Sequence, residues 1–182
     1  MELLKIENLT FTYPKMLSPA IKGVNLTVNE GEFVAVCGAT GSGKSTLLRL
    51  LKRELSPLGE INGNIYYKGT EISDLDTKIS ASKIGFVMQN PEQQIVTDKV
   101  WHELSFGLEN LGLNQKEIAL RVCEMASYFG IEAWFEKSVS ELSGGQKQLL
   151  NLASVMAMHP DVLILDEPTA QLDPIAATDF IN

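Results

Sequence analysis

The chain has 182 residues, enough for one substantial domain and its core. An apolar fraction of 45% excludes a disordered chain, and a formal net charge of −8 argues against a broad nucleic-acid-binding face. No apolar run is long enough to cross a bilayer and no secretory signal follows Met1, so a membrane connection is expected to come through a partner.

In chain order, residues 3–13 alternate, are rich in β-formers and predict a strand. Residues 24–28 predict a second, closed by a turn at Asn29-Glu30-Gly31-Glu32. Residues 33–37 are continuously apolar, the pattern of a strand buried on both faces. A glycine-rich loop follows, and residues 45–54, with leucines on one stripe, predict a helix. Residues 61–67 and 84–88 predict further strands. The pattern then turns helical, over 100–111, 115–129 and 146–158, before an apolar strand at 162–165. The fold class is therefore α/β: a core of residues 1–89 and 159–182 carrying an inserted helical subdomain, 90–158. Cys37 and Cys123 have no metal-ligand spacing; their apolar neighbours predict small buried side chains in a reducing cytosol.

Gly38-Ala39-Thr40-Gly41-Ser42-Gly43-Lys44-Ser45 fits G-x-x-x-x-G-K-[ST] in full, between a predicted strand and a predicted helix. Glycines let backbone N–H groups converge on one phosphate, and the following helix start adds positive potential. Lys44 can reach the β- and γ-phosphates of a nucleotide, and the Ser45 hydroxyl can ligate Mg²⁺. Thr46, next in the helix, joins this nucleotide-binding set. The bland alternative is a glycine-rich turn that binds nothing.

The strand at 162–165 ends in Asp166-Glu167. A carboxylate at the end of a parallel strand is placed for the Mg²⁺ shell, which suits Asp166, and Glu167 is then placed to polarise a water as general base. Gln89 ends the strand at 84–88, where a neutral amide can touch Mg²⁺ or the lytic water without adding charge. Leu142-Ser143-Gly144-Gly145-Gln146 precedes a strongly helical pattern. Its glycines and hydroxyl make a second anion site, and the economical account is that it binds the γ-phosphate held by another copy.

Taken together, the phosphate loop, Gln89, residues 142–146, Asp166-Glu167 and Ala170-Gln171-Leu172-Asp173 resemble the ordered motif set of ABC-type ATPases. The resemblance covers essentially the whole chain. It implies a phosphate-loop NTPase core with a mixed sheet, ATP and Mg²⁺ as ligands, and a head-to-tail dimer of identical or different subunits. Two ATP molecules would lie between one subunit's phosphate loop and the other's Ser143, Gly144, Gly145 and Gln146. It assigns adenine stacking to Tyr13 and communication between sites to Asp173. A narrower likeness lies at Gln89-Asn90-Pro91-Glu92-Gln93-Gln94-Ile95-Val96 and Phe106-Gly107-Leu108-Glu109-Asn110. These stretches are similar to the ATPase subunits of energy-coupling-factor importers, which serve vitamins and metal ions such as cobalt. There, this region receives a helix of an integral membrane subunit at the cytoplasmic face of the cell membrane, and Trp101 and Phe106 would floor the groove.

The family carries a further His after this motif set. His102 and His159 stand in the wrong places to replace it, so the chain is expected to be part of a longer polypeptide, with turnover by this part in doubt. The alternative of a soluble, non-transport ABC ATPase in DNA repair or translation predicts a coiled-coil insertion, tandem domains or a basic face; these residues carry no such insertion or basic face, and tandem copies stay open for the longer polypeptide.

Overall fold

A computed structural model of the chain describes residues 1–170 and Leu172. They fall into two compact units, Met1–Ile84 and a second from Gly85 onward. The expected role of Asp173 lies outside the described residues.

The first unit is built on a four-stranded antiparallel sheet of β1 (Glu2–Thr12), β2 (Ile21–Asn29), β3 (Glu60–Tyr67) and β4 (Thr70–Glu71), in the order β2-β1-β3-β4. Leu4, Ile6, Leu9 and Phe11 of β1 are all buried, although 6 and 9 differ in parity. A register shift between Ile6 and Leu9 resolves this: Asn8 adopts φ 48, a bulge that returns both halves of the strand to one face. Asn suits the left-handed region, and its backbone N–H is held by the Asn25 side chain at 2.9 Å.

The helix expected over 45–54 is shorter. It runs as α1 (Lys44–Leu50), and Arg53–Leu55 form a separate 3₁₀ turn. Lys52 breaks it, in an extended conformation that sends the side chain inward. Its ammonium donates to the carbonyls of Ser80 (2.6 Å), Ala81 (3.3 Å) and Ile84 (2.6 Å). These carbonyls end α2 (Thr77–Lys83), a helix opened by the Asp76 carboxylate capping the Lys78 and Ile79 N–H groups. Burial holds the ammonium below the usual lysine value of 10.5, and Glu54 pulls the other way. Substituting Lys52→Met strands the carbonyls that cap α2 and should destabilise the unit by about 2 kcal/mol, read from urea melts. An unchanged midpoint would show that water replaces the ammonium freely.

Residues 33–37 do not form the expected buried strand. They lack regular structure, and Phe33 is 91% exposed. An apolar run acquires strand geometry only when ladder partners flank it, and these residues pair with none among the described strands. Cys37 lies in this segment and is exposed rather than buried.

The described residues of the second unit hold β5 (Ile84–Val87, entered at the boundary) paired with β6 (Val162–Leu165), and the helices α3 (Val100–Leu111), α4 (Gln115–Tyr128) and α5 (Gly144–Ala157). Val100, Leu104 and Leu108 line one side of α3 and pack with Val122 and Ala126 of α4 and Leu150, Ala153 and Ala157 of α5. Gly112, at φ 80, ends α3 in the left-handed conformation that a glycine tolerates. Cys123 follows buried Val122 on α4, but a step of one residue turns it off the packed face, so it too is exposed. His159 closes the end of α5, at φ 55 with its N–H on the Met156 carbonyl at 2.9 Å.

Candidate functional site

In the first unit, the phosphate loop occupies residues 38–45 and leads into α1. Gly41 and Gly43 take φ 80 and φ 93. At Gly43 a Cβ would meet the Ala20 carbonyl at 2.6 Å, so both conformation and space require glycine there. Lys44 arches back over its own loop, donating to the carbonyls of Gly38 (2.9 Å) and Ala39 (3.1 Å). Ala39 also accepts from the Ser42 N–H at 3.1 Å, closing the turn through Thr40. Ser45 and Thr46 are half-buried in the first turn of α1. Tyr13 is 37% exposed, edge-on to Phe11 at 4.8 Å, with its hydroxyl 2.9 Å from the Thr46 Oγ1. The tyrosine thus stands beside the loop, partly open and held at both ends.

In the second unit, the carboxylates follow β6. Asp166 is buried, at 2% exposure, and its N–H continues the pairing of β5 and β6 by donating to the Val87 carbonyl at 3.0 Å. Glu167 is exposed and takes φ 47, a conformation costly for a non-glycine residue. The kink turns the two acids into different environments. Gln89 donates from Nε2 to the Glu167 Oε2 at 2.9 Å, a contact between side chains 78 positions apart that the sequence did not predict.

Ser143 caps α5 in a capping box: its Oγ accepts from the Gln146 N–H at 3.3 Å, and the Gln146 Oε1 accepts from the Ser143 N–H at 2.9 Å. The helix therefore starts at Gly144, two residues before the expected Gln146. Gly144 is exposed, and a Cβ there would meet nothing within 4 Å.

Several polar residues around this site were given no individual role from sequence. Gln94 braces the end of β5, accepting from the Met88 N–H and donating to the Phe86 carbonyl, both at 2.9 Å. Glu103, buried in α3, accepts from the N–H groups of Val96 (3.1 Å) and Thr97 (2.8 Å) and shapes the loop before its own helix. Gln148 and Asn151 lie buried on α5, and Lys147 pairs with Glu92 at 2.6 Å. Amides at i and i+3 on the apolar face of α5 were the available signal.

The Lys147 ammonium, by hydrogen bond and then by charge, holds the Glu92 carboxyl below its usual value of 4.5. The folded chain thus binds this proton less readily than the unfolded one. The tie contributes above 4.5 and fades as pH falls through the folded value. Lys147→Met should return Glu92 to the ordinary carboxylate range, measured by NMR titration; an unmoved titration would mean that the pair does not persist in solution.

Of the expected groove residues, Trp101 lines a shallow cavity of about 280 Å³ between α3 and α4, with Ser105, Glu109, Ile118 and Phe135. Phe106 is 39% exposed and lies outside that lining. His102 stacks on Trp101 at 5.2 Å and stays on the helix face.

A family profile described as ABC transporter matches residues 21–170. The chain is 50% identical over 178 residues to a putative ABC transporter ATP-binding protein of Bacillus cereus, covering 98% of this chain and 32% of that protein. It is 40% identical over 185 residues to the energy-coupling factor transporter ATP-binding protein EcfA2 of Clostridium acetobutylicum, covering 98% and 64% respectively. Among solved structures it resembles cbiO1 of Clostridium perfringens, part of the ABC transporter complex cbiONQ, with a TM-score of 0.85 and 36% identity over 99% of this chain and 71% of that one. A dimeric post-hydrolysis structure of the ATP-binding cassette MJ0796 with ADP and Pi gives a TM-score of 0.83 and 29% identity, over 98% and 80%. The chain thus spans about a third of the length of the Bacillus relative, at 32%.

Proposed function

The chain belongs to the ABC transporter family, and from that membership we propose that it is the ATP-binding and hydrolysing part of a transporter. One observation carries the reading. Each unit bears its own anion-receptive backbone, at 38–45 in the first and at Ser143-Gly144 in the second. Among the described residues Gly144 serves no packing purpose, because its φ is ordinary and a Cβ would meet open space. A helix start gains nothing from such a glycine. It answers to something that approaches from outside, and a nucleotide phosphate held by a second subunit is the ligand of matching chemistry.

ATP fits the residues present. The left-handed turns at Gly41 and Gly43 allow successive N–H groups to converge, and Lys44, Ser45 and Thr46 follow directly. Gly38, Ala39, Thr40 and Ser42 complete the cradle, and Tyr13 offers its ring to the base. Mg²⁺ fits the hard oxygen donors of Ser45, Asp166 and Gln89, and when bound it would neutralise charge on the phosphates. The Gln89 nitrogen is engaged with Glu167, which leaves its oxygen for that role. Glu167 takes the proton of the attacking water, Gln89 orients that carboxylate, and Lys44 offsets charge on the transferring phosphoryl group. Ser143, Gly144, Gly145 and Gln146 belong to the opposing nucleotide.

We further infer an importer of energy-coupling-factor type, carrying a vitamin or a metal ion, on the strength of the likeness to EcfA2 and cbiO1. Its partners would be a second ATPase subunit, identical or not, and an integral membrane subunit, with no nucleic acid involved. No helix among the described residues is long and apolar enough to cross a membrane, which agrees with a peripheral subunit at the cytoplasmic face. Residues 1–89 and 159–182 would then act as the nucleotide-binding core and 90–158 as the helical arm toward the membrane partner.

The test is Gly144→Val in the whole protein. Its melting temperature should move little, because a Cβ at this exposed position meets no described residue within 4 Å. ATP retained through rapid gel filtration, present in the parent, should be lost. Retention at the parental level would remove the second cradle from the mechanism.

A further inference from the structure

The reading above leaves two buried amides without a task. Gln148 and Asn151, one turn apart on α5, are 1% and 0% exposed. Gln148 donates from Nε2 to the Met88 carbonyl at 3.1 Å, and Asn151 from Nδ2 to the Pro91 carbonyl at 3.3 Å. Their other ends, Oε1 and Oδ1, are buried with no hydrogen-bond partner. Methionine and leucine would remove the two orphaned acceptors but also the donors to the Met88 and Pro91 carbonyls, so the amides add little net stability. Their position explains what they are kept for. The two carbonyls they hold stand on either side of Gln89 and Asn90.

A third tie reinforces the grip, from Lys147 to Glu92 at 2.6 Å. Gln94 fixes the same turn from the β5 side through the Met88 N–H. Gln89 is thus presented to Glu167 by a turn whose backbone is fastened to the first turns of α5. The helix that fastens it begins at Ser143 and Gly144.

We propose that Gln148 and Asn151 are positioning residues, which bind the Gln89 turn to α5 so that ligand contact at the start of this helix and the Gln89–Glu167 pair move as one body. The inference rests on the proposed ATPase reaction and adds to it. A shift of α5 carries the Met88 and Pro91 carbonyls with it and moves the Gln89 amide relative to Glu167. The carboxylate is then held for proton transfer only while the cradle at Ser143 is engaged. The coupling is physical, a hydrogen-bonded turn on a packed helix, with no long relay of side chains.

The experiment is steady-state ATP hydrolysis by the whole protein carrying Gln148→Met, Asn151→Leu or both. The double variant should lose kcat about tenfold with KM within about twofold of the parent. Its melting temperature should stay near the parent's, since removing the two orphaned acceptors offsets the two carbonyls left without a donor, and a purely structural role would lower it. In a Gln89→Ala background, Gln148→Met should change kcat by less than about twofold, because Gln148 acts through Gln89. Glu92→Gln tests the exposed tie without disturbing the core and should lower kcat about threefold. Parental kcat in the double variant and in Glu92→Gln overturns the inference. So does a full, additive loss in the Gln89→Ala background, or a fall in kcat matched by a fall in melting temperature. A parental protein that does not hydrolyse ATP overturns the proposed function itself, and this inference with it.

Discussion

Replacing Glu167 by Gln lowers ATP turnover of the whole protein by about a thousandfold, the middle of the range for loss of a general base, while ATP binding survives. The substitution keeps the shape of the side chain and an oxygen that can still accept from the Gln89 Nε2, now at 2.9 Å from the carboxylate. It removes only the basicity. Binding survives because the groups proposed to hold the triphosphate, at 38–46, belong to the other unit. ATP therefore accumulates unhydrolysed, and the variant retains nucleotide through gel filtration longer than the parent. Phosphate release and retained ATP, measured on one preparation, are the two readouts. Release at the parental rate would mean that the proton goes elsewhere, with buried Asp166 the next carboxylate to consider.

Ser143→Asp should abolish ATP-driven association without unfolding the helix. Serine at this position caps α5 by accepting from the Gln146 N–H. Aspartate is an equally good cap, so the helix start keeps its hydrogen bond and gains a carboxylate. A phosphate approaching Gly144 from outside would then meet a negative charge at contact range, where repulsion in a desolvated interface amounts to several kcal/mol. Nucleotide binding by the dissociated subunit, which uses 38–46, stays within about threefold of the parent. Light scattering with ATP under non-hydrolysing conditions, together with a nucleotide titration at low protein concentration, separates the two effects. Weakened binding at low concentration would put the Ser143 cradle on the same nucleotide as the phosphate loop and remove the need for a second subunit.

These outcomes turn on short contiguous motifs, and such motifs were legible because their chemistry is local. A glycine with a left-handed φ followed by Lys-Ser, or a Ser with Gln three residues on at a helix start, carries its geometry within a few residues. Strongly apolar elements were equally plain: periodic α3 and the short continuous run of β6 have the bounds that their apolar pattern predicts. Other features depend on partners distant in the chain. Residues 33–37 have the composition of a buried strand and still lie exposed, for want of a ladder partner. Lys52 reads as an exposed helical residue, but the helix breaks there because three carbonyls 28 to 32 positions away accept its ammonium. Both cysteines sit among apolar neighbours in sequence and are exposed in space.

By itself the sequence determined the phosphate-loop motif, the acidic pair after β6, the Ser-Gly-Gly helix start and hence the family, because each is a pattern that a handful of adjacent residues completes. The tertiary structure alone decided that Gln89 meets Glu167, that Gln148 and Asn151 grip the turn between them, and that Glu167 carries a left-handed backbone. Those are contacts across 60 and 78 positions and a conformation imposed by packing, and no local propensity encodes which distant carbonyl a buried amide will find.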